Sequence, residues 1–121
     1  KGEKMEVTRL MKKASKSKNK IMIKIYRKLS KFLGCYIGPN VKIGNNVIFV
    51  HNSIGTVIHS GTIIEDNVRI YQNVTLGQKD VYEDEKDVQF IIKKGAILCA
   101  GAKILCSSRK TNNRRKFCNC C

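Results

Sequence analysis

Residues 58–77 read IHSGTIIEDNVRIYQNVTLG, with an aliphatic side chain at every sixth position. The same spacing extends in both directions along the chain. The sixfold positions are Ile37, Ile43, Phe49, Ile58, Ile64, Ile70, Leu76, Ile92, Leu98 and Ile104. A small or β-branched residue stands four positions after most of them. A period of six fits neither an amphipathic helix nor the alternation of a single strand, so it indicates a repeat architecture.

In such a repeat each hexapeptide forms one short strand, whose aliphatic residue points inward and whose small residue lies near a tight corner. Three hexapeptides form one triangular coil of about 18 residues, and stacked coils pair their backbone groups with the coils above and below. The sequence therefore predicts a mainly β fold. Specifically, it predicts a parallel β-helix over residues 35–106, preceded by a short N-terminal amphipathic helix. An ordinary mixed β domain is the alternative.

Two segments precede the repeat. Residues 1–20 are rich in lysine and serine with few large apolar side chains, a composition that predicts a flexible basic leader. The following segment, residues 21–34, has apolar residues at helical spacing and ends at Gly34, which predicts an amphipathic helix. Its apolar residues are Met22, Ile25, Tyr26, Leu29, Phe32 and Leu33. We expect this stripe to pack on the repeat and the basic face to be solvated, although such a face could contact acidic lipid or RNA.

The formal net charge of +15 comes from the flanks. Residues 35–106 contain seven lysine and arginine residues and seven acidic residues, which cancel. The repeat is therefore not predicted to bind nucleic acid. The sequence contains no signal peptide and no apolar run near the roughly 20 residues of a membrane span, so we expect a cytoplasmic location.

Two interruptions of the period are the places where function is expected, because loops on a rigid scaffold often carry it. Between Phe49 and Ile58 the step is nine residues instead of six, so three extra residues form a bulge. His51, Asn52 and Ser53 lie in this bulge. The second interruption, residues 78–90, is polar and acidic and is predicted to be a loop at a corner.

Several of these segments resemble the catalytic half of the serine O-acetyltransferases and their short sugar-modifying relatives. The resembling segments are residues 51–58 (HNSIGTVI), 64–68 (IEDNV), 72–77 (QNVTLG), 95–96 (GA) and 100–105 (AGAKIL). The resemblance covers roughly residues 36–106 and implies that the β-helix is left-handed, a handedness that spacing alone does not give. Family members are hexapeptide-repeat acyltransferases.

The resemblance implies specific roles. The histidine at the position of His51 acts as a general base on the acceptor hydroxyl, and Asn52, Ser53 and Gln72 are candidates for binding the acceptor. Acetyl-CoA is the implied cosubstrate, bound in a groove between the subunits of a homotrimer, and no metal is implied. The candidates for the wall of that groove are Gly77, Ala100, Gly101, Ala102 and Lys103.

Departures from the family pattern leave the acceptor open. The aspartate that precedes the catalytic histidine in serine acetyltransferases is replaced by Val50, and residues 78–90 contain neither histidine nor arginine. A sugar hydroxyl is therefore an alternative acceptor to L-serine, and an inactive β-helix fragment is a third possibility. The other histidine, His59, follows an inward residue and is expected to face outward as an ordinary coil residue.

Residues 107–121 are predicted to form an aberrant basic tail. Its cysteines, Cys118, Cys120 and Cys121, lack the C-x2-C spacing and a fourth ligand, so no metal site is predicted. If A/T-rich codons are assumed, dropping one base after Lys110 gives a further hexapeptide, which suggests a frameshift and a C-terminally truncated product. The nucleotide sequence tests this. Because the chain starts at Lys1, we expect it to be a piece of a longer protein.

Overall fold

The computed structural model describes residues 6–79 and 88–106, together with the backbone of residues 117–120. Two helices come first, α1 (Glu6–Lys16) and α2 (Lys20–Phe32). The strands are β1 (Tyr36–Ile37), β2 (Lys42–Ile43), β3 (Ile48–Phe49), β4 (Val57–Ile58), β5 (Thr62–Ile64), β6 (Arg69–Ile70), β7 (Thr75–Gln78), β8 (Gln89–Ile92), β9 (Ile97–Leu98), β10 (Lys103–Cys106) and β11 (Phe117–Cys120). A 3-10 turn, Val50–Ser53, lies between β3 and β4.

The strands form three parallel sheets that the chain visits in rotation. The first sheet has the order β1-β4-β7-β10, the second β11-β8-β5-β2, and the third β3-β6-β9. Each pairing therefore joins two strands that are three apart in chain order, which is the arrangement of a parallel β-helix with three faces. The predicted mainly β architecture of stacked coils is confirmed.

The sixfold residues form the core of this prism. Eight of the ten are buried, and the other two, Ile43 and Ile104, are half-buried and pack against the same cluster. Burial of these side chains is the main favourable contribution to folding, at about 25 cal/mol for each Å² of apolar surface. The predicted inward column is confirmed.

Strand register stays fixed although the coils differ in length. Tyr36 pairs with Val57, Val57 pairs with Thr75, and Thr75 pairs with Lys103. The number of residues along the chain between paired positions differs from coil to coil: it is smallest from Val57 to Thr75 and largest from Thr75 to Lys103. The extra residues are therefore accommodated at corners and leave the pairing of the flat faces unchanged.

The N-terminal leader differs from its prediction. Residues 6–16 form α1, which buries Val7, Met11 and Ala14. These residues recur at i, i+4 and i+7 and lie on one helix face, and Val7 and Met11 belong to the core cluster of the β-helix. The prediction of a flexible leader is wrong for this segment. Three apolar residues at helical spacing are enough to order the helix, because they pack on the end of the β-helix.

Helix α2 lies where the sequence predicts a helix over residues 21–34. The side chain of Asn19 caps its first turn by accepting a hydrogen bond from the Ile21 N–H at 2.9 Å. Arg27 ties the helix to the first coil by donating to the carbonyls of Gly38 and Val41. Burial lowers the pKa of Arg27 from its ordinary value.

The apolar stripe of α2 was expected to pack on the repeat, and this is wrong for half of its members. Ile25, Leu29 and Phe32 are exposed, whereas Met22, Tyr26 and Leu33 are half-buried. The reason is that the inner face of α2 is turned toward α1 and the first coil, so only one edge of the stripe is covered.

The tail also differs in part from its prediction. The backbone of Phe117–Cys120 forms β11, which pairs in parallel with β8. An exposed strand edge has unpaired backbone groups that favour such an addition, even when the side chains depart from the repeat. The frameshift hypothesis stays a prediction. Among the described residues, no helix has the length and apolar character needed to cross a membrane.

Candidate active site

The bulge lies at the edge where the chain passes from the third sheet to the first. We call this the bulge edge; it consists of residues 50–56, 71–74 and 99–102 on three successive coils. The Asn73 N–H donates to the Ile54 carbonyl at 2.8 Å, and the Gly101 N–H donates to the Gln72 carbonyl at 3.0 Å. These hydrogen bonds hold the three segments of the bulge edge one above another. The structure therefore brings the histidine bulge, Gln72 and residues 100–102 to one edge.

The bulge has an uncommon backbone conformation. His51, Asn52 and Ser53 have φ values of 53°, 56° and 46°, in the left-handed region that residues other than glycine rarely occupy. Each such residue costs roughly 1–2 kcal/mol unless its surroundings compensate. Backbone strain of this kind is concentrated at functional sites, where the rest of the fold maintains it.

Helix α1 stabilises the bulge from one side. The Asn52 side-chain oxygen accepts a hydrogen bond from the Val7 N–H at 3.3 Å. The Thr8 hydroxyl oxygen accepts one from the Phe49 N–H at 2.9 Å. The first contact also satisfies an N–H in the first turn of α1, which has no partner within the helix. The N-terminal helix thus acts as a brace for the candidate site.

Ser53 anchors the bulge from inside. Its side chain is buried, and its hydroxyl donates to the Ile70 carbonyl at 2.8 Å. The predicted contact with an acceptor substrate is therefore not supported for Ser53, because its hydroxyl is occupied and shielded from solvent. Ser53 holds the bulge in place. The sequence does not reveal this, because the direction of the side chain depends on the left-handed backbone.

His51 is exposed at the tip of the bulge. The preceding Val50 is half-buried and supplies no carboxylate to orient the imidazole. Asn52 is half-buried beside it, with its oxygen directed to α1. An exposed imidazole on a braced backbone can approach the hydroxyl of a bound acceptor, which is the geometric requirement for a general base.

Gln72 lies on the next coil of the bulge edge. Its side chain is half-buried, and its oxygen Oε1 has no hydrogen-bond partner among the described residues. An unpaired buried amide oxygen costs free energy until it accepts a hydrogen bond. Among the residues predicted to bind the acceptor, Gln72 therefore still has an oxygen that can accept a hydrogen bond.

The candidate wall for the cosubstrate continues from the bulge edge onto the first sheet. Ala100 and Gly101 are exposed and Ala102 is half-buried. A β-carbon built on Gly101 would meet no atom within 4 Å, so its backbone is open to a ligand. Gly77 lies on β7, and Lys103 on β10 approaches the Thr75 hydroxyl with its Nζ at 3.5 Å. The predicted wall residues therefore lie next to one another, at the bulge edge and on two adjacent strands of the first sheet.

Cys99 also lies at the bulge edge, although the sequence analysis does not single it out. It is exposed and free, at the start of the third segment of the bulge edge. Its position follows directly from the hexapeptide register, since it comes one residue after the inward Leu98. The spacing could therefore have placed it at this edge.

His59 differs from its prediction. The side chain is buried, with its ring centroid 5.8 Å from that of Phe90, and its Nδ1 accepts a hydrogen bond from the Gly61 N–H at 3.0 Å. The residue lies at the corner between the first and second sheets, away from the bulge edge. It is covered because Phe90 on β8 packs against it. Residues 80–87 of the predicted corner loop lie outside the described residues.

No cluster of three or more histidine, cysteine, aspartate or glutamate side chains that could hold a metal ion occurs in the described part of the chain.

Comparison of the sequence with known proteins finds serine acetyltransferases. The serine acetyltransferase of Staphylococcus epidermidis strain RP62A is 32% identical over 94 residues, which are 77% of this chain and 43% of that protein. The serine acetyltransferase of Staphylococcus aureus strain Mu50 is 33% identical over 82 residues, 68% of this chain and 37% of that protein. The chain is related to the serine acetyltransferases. It spans less than half the length of these relatives.

The structural comparison agrees at the level of the fold. The crystal structure of serine acetyltransferase from Brucella abortus strain S19 matches with a TM-score of 0.63 and 24% identity. The match covers 82% of this chain and 41% of that chain. No family model matches the sequence. The structural likeness therefore concerns the scaffold that contains the candidate site.

Proposed function

We propose that this chain is the β-helix region of an acetyl-CoA-dependent O-acetyltransferase of the serine acetyltransferase type, with His51 as the general base. The observation that carries the proposal is the braced three-residue bulge, which presents an exposed histidine at the position for which the family resemblance implies a base. We also propose that the coils are left-handed, as in the family that the sequence resembles.

The proposed reaction needs one proton acceptor and one electrophile. The His51 imidazole takes the proton of the acceptor hydroxyl as its oxygen bonds to the thioester carbonyl carbon. The carbon–sulfur bond then breaks, and the thiolate of coenzyme A leaves and receives the proton. Gln72 hydrogen-bonds the acceptor, and Asn52 and Ser53 keep the bulge in position.

Acetyl-CoA is proposed to lie along the first sheet beside the bulge edge. Residues Gly77 and 100–102 allow its pantetheine arm to approach the backbone closely, and Lys103 attracts a phosphate. A homotrimer would complete the groove with a second subunit, in the cytoplasm where acetyl-CoA is available. The small size of these side chains and the open backbone at Gly101 support this placement.

L-Serine is the proposed acceptor because the relatives are named for it. The alternative is a sugar hydroxyl of a capsular or surface polysaccharide. Val50 supports this alternative, because it departs from the serine acetyltransferase pattern, in which an aspartate at this position orients the imidazole. An inactive β-helix fragment is the remaining alternative.

The test is release of free thiol from acetyl-CoA in the presence of L-serine or of a panel of sugars. We expect turnover with L-serine and a loss of roughly 10²–10⁴-fold in His51→Ala, the usual contribution of a general base. His59→Gln is the matched control, because it removes the other histidine away from the bulge edge; its fold is checked by circular dichroism. Turnover with sugars alone would select the alternative acceptor. Turnover unchanged in His51→Ala would refute the assignment of the base.

A further inference from the structure

The outer face of α2 has an apolar stripe that the described residues leave uncovered. Ile21, Ile25, Leu29 and Phe32 are exposed by 68%, 44%, 46% and 89%. They lie three or four residues apart and so form one continuous face along the whole helix. Four large apolar side chains on one helix face are more than the scattered exposed residues of an ordinary surface.

Cationic side chains flank this stripe. Lys24, Lys28 and Lys31 are exposed on the same helix. On the other side lies a groove of about 340 Å³ between α1 and α2, with Leu10, Leu29 and Leu33 among its apolar lining and Arg9 and Lys13 among its basic lining. Across residues 6–34 the sequence contains ten lysine and arginine residues and one acidic residue.

This combination restricts what can cover the face. A second copy of the chain would bring an equally basic surface against it, and the like charges would repel. A nucleic acid would satisfy the charge but would leave the aliphatic members of the stripe, Ile21, Ile25 and Leu29, without an apolar partner. An anionic lipid bilayer supplies both, since its headgroups attract lysine and arginine and its acyl boundary accepts the apolar side chains.

We propose that the two helices form a membrane-docking surface that binds anionic lipid bilayers peripherally. Helix α2 lies in the plane of the membrane, with Phe32 and Ile21 inserted at the acyl boundary. The lysines of α2 and the basic residues of α1 contact the headgroups. Such amphipathic helices with basic residues around an apolar stripe bind interfaces without spanning them.

The experiment uses tryptophan fluorescence, because the chain contains no tryptophan. Phe32→Trp is mixed with vesicles of phosphatidylcholine alone or of phosphatidylcholine with phosphatidylserine as the minor component. We expect a blue shift of emission and protection from acrylamide only with the anionic vesicles. Ile97→Trp is the control, since Ile97 is an exposed apolar residue on the third sheet, although at 46% it is less exposed than Phe32, and its emission should not change.

Co-sedimentation with the same vesicles measures affinity independently. Binding to the anionic vesicles should exceed binding to phosphatidylcholine by at least tenfold and should weaken in high salt. The double variant Ile21→Ser, Phe32→Ser should lose about tenfold; both positions are exposed, so the fold is retained. Three results would each overturn the proposal: equal affinity for the two vesicle types, sedimentation without a blue shift, or a blue shift of the Phe32→Trp variant by self-association without lipid.

Discussion

Replacing Gly38 with alanine provides a sharp test of how closely the first two coils approach each other. Gly38 follows β1, and a β-carbon added there would lie 2.5 Å from both the Cα and the backbone nitrogen of Ser60 on the next coil. Backbone atoms cannot rotate away as a side chain can. The two coils would have to separate at this corner, where the Gly38 N–H donates to the Ile58 carbonyl at 2.9 Å.

We expect Gly38→Ala to lower the free energy of unfolding by about 1–3 kcal/mol, the usual cost of overpacking, with a further loss if the bond to Ile58 breaks. Gly77→Ala is the matched control in the same sheet. Its added β-carbon would lie 3.5 Å from the side chains of Leu105 and Thr75, which is ordinary contact. That variant should be unchanged or more stable by up to roughly 1 kcal/mol, because alanine in a strand loses less entropy than glycine.

Urea unfolding followed by circular dichroism measures both variants. A third variant, Ser60→Gly in the Gly38→Ala background, separates the clash with the Ser60 backbone from the clash with the Ser60 Cβ, which would lie 2.9 Å from the added β-carbon. It removes the Ser60 side chain but leaves the backbone atoms, so little stability should return. The reasoning would be refuted if Gly38→Ala were as stable as Gly77→Ala, or if Ser60→Gly restored full stability.

Two other predictions follow from burial. Ile58→Ala should lower the free energy of unfolding by about 2–5 kcal/mol in urea, because the Ile58 side chain is fully buried. Val57→Ala should lower it by under about 1 kcal/mol, because Val57 faces outward. Equal losses in the two variants would contradict the register. Burial raises the pKa of the Cys35 thiol from 9.0 to about 12, so between these values the unfolded chain ionises and the folded chain does not. The free energy of unfolding should therefore fall by roughly 1 kcal/mol for each pH unit above 9. In Cys35→Ala it should fall less steeply over the same range. Identical pH slopes for the variant and the unchanged chain would contradict the effect of Cys35.

The core of the repeat could be predicted because its geometry is local. A strict spacing of six assigns each aliphatic residue to the interior of the next face, and the small residue four positions later to a corner. Ile58, Ile64 and Ile70 are accordingly buried in three successive strands. Handedness was not predictable from this spacing, because the same inward pattern is compatible with coils of either sense.

The helices were harder to predict because their environment decides their structure. Val7, Met11 and Ala14 form a narrow stripe among many basic residues, so average composition suggests disorder. Their burial requires the open end of the prism, which is assembled from residues far away in sequence. The exposed face of α2 was missed for the related reason that its inner face contacts α1, a helix that the sequence reasoning did not predict.

The candidate site was predictable in location but not in detail. The break in the period located His51 and its neighbours at one edge, whereas Gln72 and Gly101 were expected at the site only through the family resemblance. The different roles of Asn52 and Ser53 depend on the left-handed backbone of the bulge, which rotates one side chain toward α1 and the other into the core. Hydrophobic spacing contains no information about such a turn.

The unequal lengths of successive coils have a consequence for how such a protein can change over evolution. Because each face pairs only with faces of the adjacent coils, a segment inserted at a corner leaves the strand pairing on both sides unaltered. The entropic cost of a longer loop grows only slowly with its length. Corners can therefore gain or lose residues by small genetic steps while the scaffold keeps its stability, so new chemistry can arise at an edge without a new fold.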